Sequence, residues 1–344
     1  MTRWVLHVDL DQFLAAVELL RHPELEGKPV VVGGDGDPAK RGVVSTASYE
    51  ARALGVHSGQ PLRTAVRRCP DCVFLPVDEP FYLGVSGQVM DVLRETGCPV
   101  EVLGWDEAFL GADTGDPETL ARGIIADVRS ATELDCSVGI GENKLQAKIA
   151  TGFGKPAGVF RLTTRTWFDV LGDRPADTIW GIGAKTKAKL AGLGITTVRE
   201  LAAADTGTLA AAFGPVTGPW LVLLGNGRGE REVDPTPYVP RSHGREITYQ
   251  ENLQDWTQVR GQVAAIARRV SAEISERSMA RVVVKIRFAP FVTVTHGVSF
   301  SGSPSSPGFE ADFEAAALAA LEMFSPGRAV RLIGVRAEFA DVPE

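Results

Sequence analysis

The chain is short of cysteine, histidine and positive charge, and it contains no long apolar run. Four cysteines in 344 residues are too few for a disulfide scaffold, which argues for a reducing compartment. Cys69 and Cys72 form a CPDC motif, but no second pair and no histidine stands at zinc-ligand spacing, so neither a zinc site nor a redox role is expected of them. The five histidines are scattered, and no Ser/His/Asp or Cys/His grouping suggests nucleophilic catalysis. The N-terminal MTRWVLHVDLDQF is cut by His7 and Asp9, and no other stretch approaches the roughly 20 apolar residues that span a bilayer. A cytoplasmic protein with no signal peptide and no membrane partner is expected. A net charge of −7 provides no overall basic field, so any nucleic acid must be met by a local basic surface.

What is present suffices for several folded domains, since 44% of the residues are apolar. WVLHVDL (4–10) reads as a buried strand ending in acidic residues. Asp11 then reads as the N-cap of a helix through FLAAVELL, with Val17 and Leu20 on one face. KPVVVGG (28–34) is a second strand, and SYEARALGV (48–56) a short helix stopped by Gly55. Between residues 75 and 165 the pattern runs helix, strand, turn, strand, helix, strand, helix. With the first strand this predicts a split βαβ sheet with helices on one face. A connector rich in proline and charge, GEREVDPTPYVPRSHG, marks the best domain boundary, stiffened by Pro235, Pro237 and Pro240. Beyond it, Val259, Val263, Ile266, Val270 and Ile274 mark one face of a helix, and RVVVKIRF alternates as a strand within a second βαββαβ unit.

The chemistry gathers on carboxylates. Phosphoryl transfer to a nucleotide asks the protein mainly to hold divalent ions that grip the attacking hydroxyl and the triphosphate. Asp9 at a strand end and the adjacent Asp106 and Glu107 in a predicted hairpin supply hard oxygen ligands, and the Leu10 carbonyl adds a neutral one. Neighbours on a regular strand point to opposite faces, so Asp106 and Glu107 can share a site only if the backbone turns, which Gly104 would permit.

Six blocks in order (DLDQFLAAVE, VVSTASYEARALGV, GWDEAFL, CSVGIGENKLQAKIATGFGKPAGVF, WGIGAKTKAKL and VRLIGVR) resemble the Y-family DNA polymerases of the DinB, or polymerase IV, type over essentially the whole chain. The resemblance implies an α+β multidomain right-hand polymerase with a ferredoxin-like palm (1–10 and 75–165), small fingers (11–74) and a helical helix-hairpin-helix thumb (166–230). A linker (231–241) and a βαββαβ little finger (242–344) complete it. It implies low-fidelity, translesion-type synthesis from dNTPs on primer-template DNA by a monomer, with two Mg²⁺ on Asp9, Asp106 and Glu107 and Mn²⁺ as a substitute. Asp11 matches a motif position that is not a ligand.

By the same resemblance Tyr49, Arg52 and Lys155 meet the triphosphate, and Ser45 or Thr46 adds a hydroxyl contact. In the motif D-x-D-x-aromatic-aromatic-A the second aromatic packs under the sugar and excludes a ribose 2′-OH. Here Phe13 is followed by Leu14, which is smaller and lacks a flat ring, so use of rNTPs beside dNTPs is expected. GWDEAFL departs as well, with Gly104, Trp105 and Phe109 at positions where the family commonly has Ser, Ile and Tyr. Gly181 and Gly183 of GIG, with Lys185, Lys187 and Lys189 behind them, resemble a helix-hairpin-helix that offers backbone N–H groups to a phosphate. Arg281, Lys285 and Arg287 on one strand face, with Arg331 and Arg336 on a later strand, suit a surface that follows DNA phosphates. No 3′→5′ exonuclease fits the remaining length. VRAEFADVPE follows directly on the last strand where the family commonly has a clamp-binding tail, so a sliding clamp is not expected as a partner. Other readings are a different palm-type nucleotidyl transferase, such as a cyclase or primase-like enzyme, and a DNA-binding polymerase relic.

Overall fold

The structure, a computed structural model, describes residues 3–274 and 276–340. Residues 341–344, on which the clamp expectation partly bears, lie outside it. The chain separates into two compact units. One comprises 1–38 and 42–237, and the other 39–41 and 238–344. Among the described residues no helix is long and apolar enough to cross a membrane.

The first unit opens with β1 (Arg3–Leu10) and α1 (Phe13–Arg21). A small subdomain follows: β2 (Val30–Val32), β3 (Thr46–Ala47), α2 (Tyr49–Ala53), α3 (Leu62–Arg68) and β4 (Val73–Leu75), with the strands ordered β3-β2-β4. The sequence returns through α4 (Glu79–Glu95), β5 (Val100–Val102), β6 (Glu107–Asp113), α5 (Pro117–Thr132), β7 (Cys136–Gly141), α6 (Lys144–Gly154) and β8 (Val159–Arg161). Together with β1 these form a five-stranded sheet, β5-β6-β1-β7-β8, in which β1 runs antiparallel to both neighbours.

The alternation of β1 divides this sheet into two faces. Leu6, Val8 and Leu10 join Val89, Leu93, Ile124 and Val128 of α4 and α5 in the main core. Val5 turns the other way, into a small cluster with Phe109 and Ala147. That second face is covered by α6, contrary to the expectation of helices on one side. Gly139 and Gly141 explain the difference: a Cβ at Gly139 would lie 2.0 Å from the Ala147 carbonyl oxygen, and one at Gly141 would lie 2.5 Å from the Ala147 nitrogen. Paired glycines on one strand face let the helix backbone settle onto the sheet.

Two further details differ from the sequence reading. Val17 is buried, but Leu20 is exposed, and the apolar face of α1 is completed by Phe13 and Leu14. Cys69 and Cys72 are joined by a disulfide at the end of α3, with Cα atoms 5.3 Å apart and both residues buried in the subdomain core. The turn between them brings the pair within bridging distance.

After β8 come α7 (Trp167–Leu171), α8 (Ala184–Ala191), α9 (Val198–Ala202), α10 (Thr206–Phe213) and α11 (Thr217–Gly225), packed around Trp167, Leu190, Leu201 and Leu221. The connector that follows is not loose at its start. Asn143 Nδ2 and Gln146 Nε2 donate to the Gly227 carbonyl at 2.9 and 3.0 Å, and Lys144 N–H donates to the Glu230 carbonyl at 2.8 Å. The Asp234 N–H donates to Glu101 at 2.8 Å, and Val233 is buried against Val5 and Phe109.

The second unit contains β9 (Ser242–Leu253), α12 (Trp256–Glu273), β10 (Met279–Phe288), β11 (Val292–Gly302), α13 (Phe309–Leu321) and β12 (Val330–Phe339). Its antiparallel sheet has the order β11-β10-β12-β9. Both helices cover one face, where Val282, Val284, Ile286 and Phe288 meet Val263, Ile266 and Phe313.

Candidate active site

Antiparallel register brings the first two carboxylates together. Asp9, at the end of β1, lies opposite Glu107, the first residue of β6, and the Leu10 N–H donates to the Asp106 carbonyl at 2.9 Å. Asp106 escapes the strand alternation because it precedes β6 in a tight turn, where the Leu103 and Gly104 N–H groups both donate to the Glu107 carbonyl at 3.1 and 3.3 Å. The turn does not use the special freedom of glycine. Gly104 is not left-handed, and a Cβ there would make only ordinary contacts with Asp106 and Glu107.

The trio concentrates negative charge. Burial, then the charges of Asp9 and Glu107, push the Asp106 carboxyl above its usual range. Glu107 moves the other way, to about 2, chiefly because His7 and Lys148 hydrogen-bond to its carboxylate. Both lysines that answer this charge come from α6: Lys148 is bonded to Glu107, and Lys155, which caps the helix, to Asp9. A carboxylate cluster that draws two ammonium groups onto itself and still disfavours ionisation of its third member is a fitting host for a hard divalent cation. Donor atoms of His7, Asp9 and Glu107 all lie within 4.8 Å of one another.

His7 had no assigned place in the sequence reading. It lies two residues before Asp9 on the same face of β1, 1% exposed, with Nδ1 2.8 Å from Thr151 Oγ1 and Nε2 3.1 Å from Glu107 Oε2. Burial lowers its pKa, which favours the neutral ring. Its strand parity was the available signal.

Asp11 is not the N-cap of α1. That position falls to Gln12, in a left-handed conformation and without a side-chain cap. The Asp11 carboxylate is buried and accepts from three separate elements: Tyr49 Oη at 2.9 Å, Ser137 Oγ at 3.1 Å and the Ala157 N–H at 2.6 Å. It ties α2 to β7 and to the loop after α6, and it lies 3.7 Å from the Lys155 ammonium.

Tyr49 and Arg52 therefore stand beside the carboxylates. Burial and Asp11 push the Tyr49 hydroxyl up, and the Arg52 guanidinium lies 5.4 Å from the Tyr49 ring centre while its Nε donates to the Ala47 carbonyl at 2.9 Å. Ser45 is exposed and Thr46 half-buried on the neighbouring β3. Phe13 and Leu14 belong to the main core, Leu14 retaining 7% exposure.

The expected phosphate contacts divide into two groups. Gly181 adopts φ +96° and Gly183 caps α8, from which Lys185 projects into solvent. Of its neighbours, Lys187 pairs with Asp177 at 2.8 Å and Lys189 donates to the Ala212 carbonyl. In the second unit Arg281, Lys285, Arg287 and Arg336 share the face that the helices leave open. Arg331 falls at a bulge in β12, over the Phe291 ring at 4.8 Å. This face is less basic than its cations suggested: Lys285 is bonded to Glu246, and Glu338 lies 2.5 Å from Arg336 and 4.0 Å from Arg281.

The sequence matches the impB/mucB/samB family over residues 8–152 and the C-terminal domain of that family over residues 240–342. It is 48% identical over 344 residues to DNA polymerase IV 2 of Mycobacterium tuberculosis (strain ATCC 25618 / H37Rv), covering 98% of each chain. A solved Y-family DNA polymerase chimera of Dbh and Dpo4 superposes with a TM-score of 0.85 at 27% identity, over 97% of this chain and 98% of that one. An insertion ternary complex of Dbh DNA polymerase gives 0.67 at 26% identity, over 99% of this chain and 100% of that one.

Proposed function

This chain belongs to the Y-family DNA polymerases of the DinB type, and from that premise we propose that it works by two-metal nucleotidyl transfer and discriminates weakly against ribonucleotides. It is a DNA-directed DNA polymerase of the translesion kind, with the α+β right-hand fold of its family. We divide it into palm, fingers, thumb, linker and little finger at residues 1–10 with 75–165, 11–74, 166–230, 231–241 and 242–344.

Two Mg²⁺ ions, for which Mn²⁺ can substitute, would supply the charge that activates a primer 3′-OH and steadies the leaving pyrophosphate. Asp9, Asp106, Glu107 and the Leu10 carbonyl are the groups that hold them. Lys155 exchanges its bond to Asp9 for the triphosphate, beside Tyr49, Arg52 and a hydroxyl of Ser45 or Thr46. Phe13 and Leu14 lie under the sugar. Template and primer phosphates are met by the N–H groups of Gly181 and Gly183 and by Lys185, and on the open sheet face by Arg281, Lys285, Arg287 and Arg336, with Arg331 at its margin. The observation that carries this reading is the pairing of Asp9 opposite Glu107, with Asp106 in the adjoining turn.

Primer extension with Mg²⁺ and dNTPs by the native protein and by Asp106→Ala tests the chemistry. Extension must be lost in the variant, and extension that survives unchanged removes Asp106 from the site. A parallel assay with rNTPs tests the sugar contact: Leu14→Phe should raise the preference for dNTPs by about 10-fold or more, as one added steric conflict can. Equal selectivity in the two proteins would place the discrimination elsewhere.

A further inference from the structure

We propose that His7 is a positioning residue that fixes Glu107 in its cation-binding orientation and is not itself a ligand. The inference rests on the reading that Glu107 holds a divalent cation.

His7 Nε2 lies between Glu107 Oε2, at 3.1 Å, and the Lys148 ammonium, at 3.3 Å; an ionised carboxylate only accepts hydrogen bonds, and as it is the nearer of the two we place the Nε2 proton toward it. Nδ1 then accepts from the Thr151 hydroxyl, whose 2.8 Å contact with the ring is shorter than its 3.1 Å approaches to the His7 and Ala147 carbonyls. Both ring nitrogens are thus engaged, and neither offers a lone pair to a metal, although the ring lies among the carboxylates. Lys148 donates to the same Oε2, so the two donors together leave Oε1 for the cation. The ring has little freedom to turn. Phe109 stands with its centroid 4.9 Å away at 59°, and Gly139 lies opposite on β7. Without His7, Glu107 keeps only a lysine on a long flexible stem. Partners that orient a ligand in this way typically contribute about 10–100-fold in metal affinity.

The test measures Mn²⁺ binding to the full chain without DNA, by electron paramagnetic resonance of the free ion. The proteins compared are native, His7→Phe, His7→Gln, Glu107→Ala and the His7→Phe/Glu107→Ala double variant. His7→Phe should weaken binding about 10–100-fold. His7→Gln, whose amide N–H can still reach Oε2, should retain most of the affinity. In the Glu107→Ala background, His7→Phe should add nothing. Native affinity in His7→Phe alongside weakened Glu107→Ala overturns the positioning role, and losses that multiply in the double variant make His7 a ligand. Native affinity in Glu107→Ala defeats the ligand reading, and the positioning role with it. Thermal unfolding checks each fold. Should His7→Phe fail to fold, Thr151→Val withdraws only the partner of Nδ1: a smaller loss, absent in the Glu107→Ala background, supports the proposal, and no loss refutes it.

Discussion

Gly139→Ala offers a sharp test of how the site is assembled. A Cβ at residue 139 would lie 2.0 Å from the Ala147 carbonyl oxygen, 2.3 Å from the Thr151 nitrogen and 2.5 Å from Thr151 Oγ1. Two of these neighbours are backbone, so no side-chain rotation relieves the clash, and α6 must retreat by about 1 Å or the strand must buckle. Overpacking of this kind costs about 1–3 kcal/mol. The hydrogen bond between Thr151 and His7 stretches as the helix withdraws, adding about 1 kcal/mol. Reduced freedom of the unfolded chain returns about 0.4–1 kcal/mol. The net expectation is a loss of about 1–3.5 kcal/mol in urea unfolding. Activity should fall further than stability, because α6 carries both lysines that grip Asp9 and Glu107, and a misplacement of about 1 Å can cost roughly 100-fold in rate. Single-turnover primer extension at a urea-free, fully folded temperature reads that effect. Gly152→Ala on the same helix is the control: a Cβ there meets nothing within 4 Å, so a gain of about 0.5–1 kcal/mol and an unchanged rate are expected. A Gly139→Ala protein within about 0.5 kcal/mol of native stability and with native rate would refute the argument that this glycine sets the depth of the helix.

Three more predictions follow from charge and sulfur. Glu246→Gln releases Lys285 from its ion pair, so DNA binding should tighten and log K should fall more steeply with log salt, by about one unit of slope; an unchanged slope would remove Lys285 from the phosphate contacts. In the second unit, hydrogen bonds from Arg245, His243 and Arg269 hold the Glu273 carboxyl at about 2. A depressed carboxyl stabilises above its unfolded pKa of 4.5 and loses that contribution as pH falls toward 2. Glu273→Gln should therefore lose up to about 1 kcal/mol at pH 6, with the gap to native narrowing below about pH 4.5 and closing only as pH falls toward 2, and a gap independent of pH would contradict this. Finally, alkylation without reductant should modify Cys98 in the native protein and Cys136 only after unfolding, whereas labelling at Cys69 or Cys72 would contradict the disulfide.

The parts of the site legible in sequence were those specified by a single strand. Asp9 at the end of an apolar run, and an acidic pair in a hairpin, are local patterns, as are the βαββαβ order of the second unit and the apolar stripe of α12. What escaped depended on register or on distant partners. Asp11 looked like a helix cap because the residues after it are helical. Its actual partners, Tyr49, Ser137 and Ala157, lie 38, 126 and 146 positions away. The cations of β10 were counted without the acids that face them, because Glu246 and Glu338 become neighbours only once the strands are paired. Gly139 and Gly141, two apart on one strand face, did carry a readable sign that a helix backbone comes close there, and with it the route by which Thr151 reaches His7.

The anchored start of the connector sets where the chain can be cut and rejoined. Residues 227–234 are held by backbone carbonyls and N–H groups, and Val233 occupies a fixed socket against Val5 and Phe109. A fusion junction or an inserted spacer placed there would shift every one of those bonds out of step, whereas one placed from Pro235 onward, where the residues are exposed, leaves them in phase. For anyone building hybrids of this enzyme with a relative's second unit, the usable splice point therefore lies several residues later than the change in sequence composition suggests.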